Sequence, residues 1–223
     1  MGQTIRLKAS DGHELSAYEA MPAGERRGGL VVIQEIFGVN AHIRSVTDGW
    51  AAEGYYCMAP AIFDRAAPGY ESGYSPDEVE AGRTLVGKIG MDKMLLDIEA
   101  GRAKAASAGK VGVVGYCLGG SLAWLAGTRL DGIAAASCYY GGRIAESAAE
   151  KPRCAVQMHF GETDQSIPMS AVDKIRAAVP SDVEIFTYPA GHAFNRDGGA
   201  SWEPRSARLA RERSLALFRK HVG

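Results

Sequence analysis

Residues 111–120 read VGVVGYCLGG, in which four strand-forming residues precede a cysteine that glycines surround. Val111–Val114 are typical of a buried strand, and the glycines permit a tight turn into a helix that continues through Ser121–Ala126. A cysteine with only a packing role usually lies inside an apolar element. Cys117 instead stands at the tip of a predicted strand–turn–helix segment, the position from which such a turn displays a nucleophile.

The rest of the chain repeats this alternation of strand and helix. An apolar run at 29–34 (GLVVIQ) is typical of a strand buried on both faces, and Asp11-Gly12 joins two alternating segments into an opening hairpin. We predict further strands at 55–59, 133–139, 154–160 and 183–188, and helices ending near 52 and covering 76–89, 92–106, 170–179 and 204–221. This order predicts an α/β fold in a single domain over residues 1–223, with a mostly parallel central sheet and helices on both faces.

Composition excludes several kinds of partner. The 25 Lys and Arg residues nearly balance the 26 Asp and Glu residues, which gives a net charge of −1. We therefore expect no binding to nucleic acid or to an anionic membrane. No apolar run approaches the roughly 18 residues of a membrane span. Because Met1–Arg6 does not resemble a signal peptide, we expect a cytoplasmic protein with reduced cysteines.

Ligands of parallel sheets bind beyond the carboxyl ends of the strands, so the residues that follow each strand are the candidates for chemistry. Cys117, Asp164 and His192 each follow a different predicted strand, and Glu35 follows the strand at 29–34. A thiolate nucleophile needs a base such as histidine, and a carboxylate behind that base fixes its tautomer.

An acyl oxyanion also needs two N–H donors. Leu118 follows the nucleophile and supplies one main-chain N–H, and the loop after the earlier strand supplies the other, for which we assign Ile36.

Four segments together resemble the dienelactone hydrolase (carboxymethylenebutenolidase) family of α/β-hydrolases. They fall in family order, extend over most of the chain, and read QEIFGVN (34–40), GYCLGG (115–120), GETD (161–164, followed by Pro168) and AGHAF (190–194). The resemblance implies an α/β-hydrolase fold and a hydrolase of small, carboxylate-bearing lactones or esters. It assigns Cys117 as the nucleophile, His192 as the base and Asp164 as the orienting acid. It assigns to Glu35 the control of thiol ionisation.

The resemblance also implies that two arginines and aromatic neighbours hold the substrate carboxylate. Arg196 matches one arginine, but Val79 occupies the place of the other, and Arg83 stands where an aromatic residue is expected. Either Arg83 substitutes from one turn further along the helix, or the anion clamp is incomplete. We add Phe37 and Tyr140, each of which follows a predicted strand, to the predicted substrate-binding residues.

Other functions are disfavoured by particular residues. The chain has no GxGxxG motif, and Ser121 stands where a phosphate-binding loop needs lysine. No histidine or cysteine pair has zinc-ligand spacing, so we expect neither metal nor organic cofactor. Phe194 occupies the position where a cysteine glutaminase carries its acid. His159 competes with His192 for the role of base, but the order nucleophile, acid, histidine favours His192.

A non-enzymatic ligand-binding or regulatory protein on the same fold remains as the alternative function. The presence of nucleophile, base and acid argues against it. For either function we expect a small-molecule ligand and a monomer or weak homo-oligomer.

Overall fold

The structure is a computed structural model that describes residues 2–223. One eight-stranded sheet crosses it in the order β1-β2-β4-β3-β5-β6-β7-β8. The strands are β1 (Gln3–Lys8), β2 (Glu14–Ala20), β3 (Gly28–Ile33), β4 (Tyr55–Pro60), β5 (Val111–Tyr116), β6 (Ile133–Tyr139), β7 (Ala155–Gly161) and β8 (Glu184–Tyr188). β2 pairs antiparallel with β1 and β4, and every other pairing is parallel.

Within residues 2–223, six α-helices connect or cover these strands. They are α1 (Ala41–Ala52), α2 (Pro76–Ile89), α3 (Met91–Ala105), α4 (Leu118–Arg129), α5 (Met169–Ala178) and α6 (Pro204–His221). α1 and α6 pack on one face of the sheet, where the rings of Trp50 and Phe218 meet at 5.4 Å. α3 and α4 cover the other face. The predicted α/β class and mostly parallel sheet are confirmed, with the bounds of elements shifted by one or two residues.

The core lies on both sides of the central strands. β3, β4 and β5 are buried along their whole lengths, because helices cover both of their faces. Such burial contributes roughly 1.5–3 kcal/mol for each large apolar side chain. No helix within residues 2–223 combines the length and the hydropathy that a membrane crossing requires.

Two glycines allow the turn after β5 to form. A Cβ on Gly115 would collide with the carbonyl oxygen of Gly119, and a Cβ on Gly119 would collide with that of Ile33 at the end of β3. The turn therefore packs directly against the neighbouring strand. Cys117 between them adopts φ 55°, a left-handed conformation that costs a non-glycine residue roughly 1–3 kcal/mol. The fold maintains this strain at the point where the cysteine side chain leaves the sheet.

Candidate active site

Three side chains from three strand ends form one chain of hydrogen bonds. Cys117 lies between β5 and α4, Asp164 follows β7, and His192 follows β8. His192 Nε2 is 3.2 Å from Cys117 Sγ, and His192 Nδ1 is 2.7 Å from Asp164 Oδ2. The other oxygen of Asp164 accepts the main-chain N–H groups of Ser166 and Ile167 at 2.8 and 3.1 Å. The acid is therefore fixed from both sides.

The electrostatics of this chain favour a charged imidazole. Burial by itself lowers the pKa of His192, but the hydrogen bonds to Asp164 and Cys117 outweigh it and raise that pKa from 6.5 to about 10. Burial raises the pKa of Asp164, yet the hydrogen bond from His192 leaves it below its usual range. At neutral pH the ring carries both protons, so it can donate one to the carboxylate and one towards the sulfur.

The two predicted oxyanion donors lie beside Cys117. Leu118 begins α4, where the first N–H groups of a helix have no partner within the helix, and Ile36 follows β3. Within residues 2–223 neither main-chain N–H donates to a main-chain or side-chain acceptor. α2 packs closely over this loop, since a Cβ on Gly82 would collide with the Ile36 carbonyl oxygen. Both amides are available to a developing oxyanion.

A cavity of about 590 Å³ opens above the cysteine. Its size lies within the range of small-molecule sites. Most of the residues predicted from the sequence line it: Glu35, Ile36, Phe37, Arg83, Cys117, Leu118, His192 and Arg196. Asp164 lies behind His192, as an orienting acid would.

Tyr140, which we predicted among the substrate-binding residues, is not among the residues that line this cavity. Its side chain is fully buried and packs against His192 and Phe194, with ring centroids at 5.1 and 5.5 Å. Tyr140 also adopts a positive φ of 38° directly after β6. The tyrosine supports the back of the His192 ring.

Glu35 is buried at the cavity floor without a close partner. Its Oε2 makes no hydrogen bond within residues 2–223, and the nearest cationic atom is Arg196 Nη1 at 3.9 Å. Burial raises the pKa of Glu35, while Arg196 and His192 act in the opposite direction. The sulfur of Cys117 is hydrogen-bonded to His192, and no hydrogen bond joins it to Glu35. Any influence of this carboxyl on the thiol therefore acts through the field across the cavity.

Arg196 is held by aromatic rings. Its guanidinium lies 3.8 Å from the ring centroid of Tyr74 and 5.9 Å from that of Phe37. Arg196 Nε is buried and has no acceptor within residues 2–223. A guanidinium that packs on aromatic faces and lacks acceptors is ready to bind a carboxylate. Sequence reasoning missed Tyr74, because its Gly- and Pro-rich surroundings indicate only a loop.

Arg83 faces the cavity from α2. Val79, Arg83 and Val86 all line it, and their spacing places them on one face of the helix. No ion pair joins Arg83 to another side chain among residues 2–223. Arg143 and Ser121, which the sequence did not single out as binding residues, also line this cavity.

His159 belongs to a separate buried network. Its Nδ1 is 2.8 Å from Tyr188 Oη, and its Nε2 is 3.2 Å from Ser214 Oγ. Arg213 donates to the same tyrosine oxygen at 3.0 Å. His159 therefore does not reach Cys117, whereas His192 does. Among residues 2–223, no group of three or more His, Cys, Asp or Glu side chains is placed to hold a metal ion.

Comparison with known proteins identifies the family of the chain. Residues 15–222 match the model of the dienelactone hydrolase family. A provisionally named carboxymethylenebutenolidase of Synechocystis sp. (strain PCC 6803) is 39% identical over 212 residues, or 86% of each chain. Another provisional carboxymethylenebutenolidase, from Azospirillum brasilense, is 38% identical over 98% of this chain and 99% of its own.

Solved structures extend the likeness to the whole fold. The crystal structure of a provisionally named dienelactone hydrolase from Klebsiella pneumoniae superposes with a TM-score of 0.87 at 29% identity, covering 99% of this chain and 100% of the other. An esterase from Pyrococcus furiosus, at 14% identity and a TM-score of 0.74, shares the fold. The chain therefore belongs to the dienelactone hydrolase family of α/β-hydrolases and is a hydrolase of this kind.

Proposed function

We propose that this hydrolase uses Cys117 to cleave small esters or lactones that carry a carboxylate. One observation supports the proposal above the others: the hydrogen-bonded series Cys117–His192–Asp164 at the base of a cavity that also contains Arg196. The proposed roles are nucleophile for the cysteine, acid and base for the histidine, and orienting acid for the aspartate. No step of this reaction needs a cofactor.

The reaction proceeds through a thioester. The Cys117 thiolate attacks the carbonyl carbon and forms a C–S bond, and the N–H groups of Ile36 and Leu118 bind the resulting oxyanion. Collapse breaks the C–O bond, and the leaving oxygen takes the proton of His192 Nε2. Water then attacks the thioester and gives a proton to His192. The C–S bond breaks, which releases the acid and restores the thiolate.

Arg196 binds the substrate carboxylate in this proposal. Its guanidinium has no hydrogen-bond acceptor among residues 2–223, and Glu35 at 3.9 Å is too far for a direct hydrogen bond. A substrate carboxylate supplies the missing acceptors and forms a charge-assisted pair. Arg83, on the cavity face of α2, contributes positive charge to the same site.

A burst experiment tests this function. Mixing the enzyme with monophenyl adipate should release about one equivalent of phenol per active site if deacylation is slow, with an acyl group trapped on Cys117 and visible by mass spectrometry of the quenched protein. Prior treatment with iodoacetamide should remove both signals. Phenyl acetate, which lacks the carboxylate, should react with a lower kcat/KM. An acyl group found on another residue, or undiminished turnover by the alkylated enzyme, would contradict the proposed nucleophile.

Glu35→Gln tests the proposed control of the thiol. We expect iodoacetamide to label Cys117 several times faster at pH 8 in this variant, because the reacting thiolate no longer faces a neighbouring carboxylate charge. Hydrolysis of monophenyl adipate should fall by roughly tenfold, because the field of the carboxylate also stabilises the charged His192 that protonates the leaving oxygen. Unchanged labelling together with near-normal turnover would reduce Glu35 to an ion-pair partner of Arg196.

A further inference from the structure

The charge of the cavity lining differs from that of the whole molecule. The chain as a whole carries a net charge of −1. The lining contains three arginines and one histidine against a single carboxyl, that of the buried Glu35. The cationic side chains are Arg83, Arg143, His192 and Arg196. A concave site with this excess raises the local concentration of anions.

The arginines do not form one cluster. Arg196 lies against Phe37 and Glu35, which follow β3, on one side of the nucleophile. Arg143 lies on the other side, after β6, and its main-chain N–H donates to Ser121 Oγ at 3.0 Å. β5, which carries the cysteine, runs between these two strands. Because Ser121 is buried in α4, this hydrogen bond fixes residue 143 to the helix that begins after Cys117.

The present partner of Arg143 is easily replaced. Its guanidinium contacts the Glu146 carboxylate at 2.9 and 3.0 Å, three residues along the chain. Their side chains are 49% and 61% exposed, and an ion pair this exposed contributes at most about 1 kcal/mol. A substrate carboxylate in the cavity can therefore compete with Glu146 for the same donors.

We propose that the cavity selects substrates with two anionic groups, one bound by Arg196 and a second, a carboxylate on the other side of the scissile carbonyl, bound by Arg143. This inference rests on the proposed function, since it concerns the substrate of that same site. It assigns Arg143 as a specificity-determining residue.

Four aryl esters test the two carboxylate contacts independently. Phenyl acetate has none, monophenyl adipate has one on the acyl side, 3-acetoxybenzoate has one on the leaving group, and mono(3-carboxyphenyl) adipate has both. For the wild type we expect kcat/KM to rise about tenfold with each added carboxylate, as for a charge-assisted contact made on each side. Arg196→Ala should remove the gain from one carboxylate only, and Arg143→Ala should remove the gain from the other.

Two further variants separate recognition from structure. Arg176→Ala is the matched control, because Arg176 forms an i,i+3 pair with Asp173 at 2.7 Å with side chains 48% and 65% exposed, and it does not line the cavity. It should leave all four kcat/KM values unchanged. Glu146→Gln frees Arg143 and should raise kcat/KM for the esters that use Arg143.

The outcomes distinguish the two proposals. No turnover of any of the four esters by the wild type would overturn the proposed function itself. Turnover that depends on one carboxylate and on Arg196, with Arg143→Ala indistinguishable from Arg176→Ala, would overturn only the second anion site. A uniform loss across all four esters in Arg143→Ala, or a loss in Glu146→Gln, would also overturn it, because either result means that the ion pair is structural.

Discussion

Replacing Cys117 with alanine should lower kcat for the preferred ester by roughly four orders of magnitude or more, while the protein stays folded. The variant keeps the oxyanion donors, the cavity and His192, but it has no atom that can form the thioester. Stability should change little, since the side chain is short and half-exposed at the cavity floor. The measurement is steady-state hydrolysis of monophenyl adipate, with urea unfolding of the same preparation.

Cys117→Ser should recover little of this activity. A hydroxyl has a far higher pKa than a thiol, so a site that ionises a thiol is poorly matched to it. Cys154→Ala is the matched control, because Cys154 is also a half-buried free thiol, donates only to the Gly127 carbonyl oxygen and lies away from the cavity. Full activity in Cys154→Ala is expected. If Cys117→Ala were as active as Cys154→Ala, another residue would be the nucleophile and the proposed mechanism would be wrong.

The fold was predictable because its signals are local. The continuous apolar run of β3 and the glycines around Cys117 each report a constraint that the surrounding residues impose. A strand buried on both faces must be apolar throughout, and the close approach of Gly119 to β3 excludes any side chain. Such patterns can be recognised without knowledge of the rest of the chain.

The meeting of the hydrogen-bonded residues was predictable from topology. Parallel strands place their carboxyl ends at one edge, so Cys117, Asp164 and His192 had to approach one another. The positions of Tyr74 and Arg143 were not predictable in this way. Tyr74 reaches Arg196 because a long loop is fixed by a distant contact, Asn40 Nδ2 to Tyr74 Oη at 3.3 Å. No periodic pattern encodes a contact of that kind.

Tyr140 differs from these residues, because the sequence predicted it at the binding site and the structure buries its side chain. It follows a strand directly, yet its backbone has a positive φ and its ring packs against His192. Strand-end position therefore identifies the neighbourhood of a residue, whereas the local backbone decides the direction of its side chain.

Acidification should destabilise the protein through His159, beginning near pH 6.5. Burial lowers the pKa of His159 from 6.5 to about 3, with the charge of Arg213 acting in the same direction. Below pH 6.5 His159 binds a proton in the unfolded chain but not in the folded chain, so the free energy of unfolding falls as pH falls. Each pH unit costs about 1.4 kcal/mol for one such group, or on the order of 4 kcal/mol down to pH 3.

The hydrogen bonds around the His159 ring explain why it stays neutral in the fold. Arg213 can only donate, so Tyr188 accepts from it and gives its own proton to His159 Nδ1. Nδ1 must therefore stay unprotonated, and Nε2 carries the proton that faces Ser214. A second proton would break the bond from Tyr188 and place a charge beside Arg213 in a buried site.

Urea unfolding at pH 6.5, 5.5 and 4.5 isolates this effect. His42, whose pKa burial lowers to about 4, acts in the same direction, so the wild type should lose up to about 2.7 kcal/mol per pH unit from the two histidines. His159→Gln should be less stable at pH 7 yet halve this slope, and His159→Gln with His42→Gln should nearly abolish it between pH 6.5 and 5.5, before the carboxyls of the unfolded chain protonate. His192 acts in the opposite direction near pH 6.5 and adds little below pH 5.5, because its raised pKa keeps the folded ring protonated and the unfolded ring is then protonated too. A slope unchanged by His159→Gln would mean that the buried ring accepts a proton inside the fold.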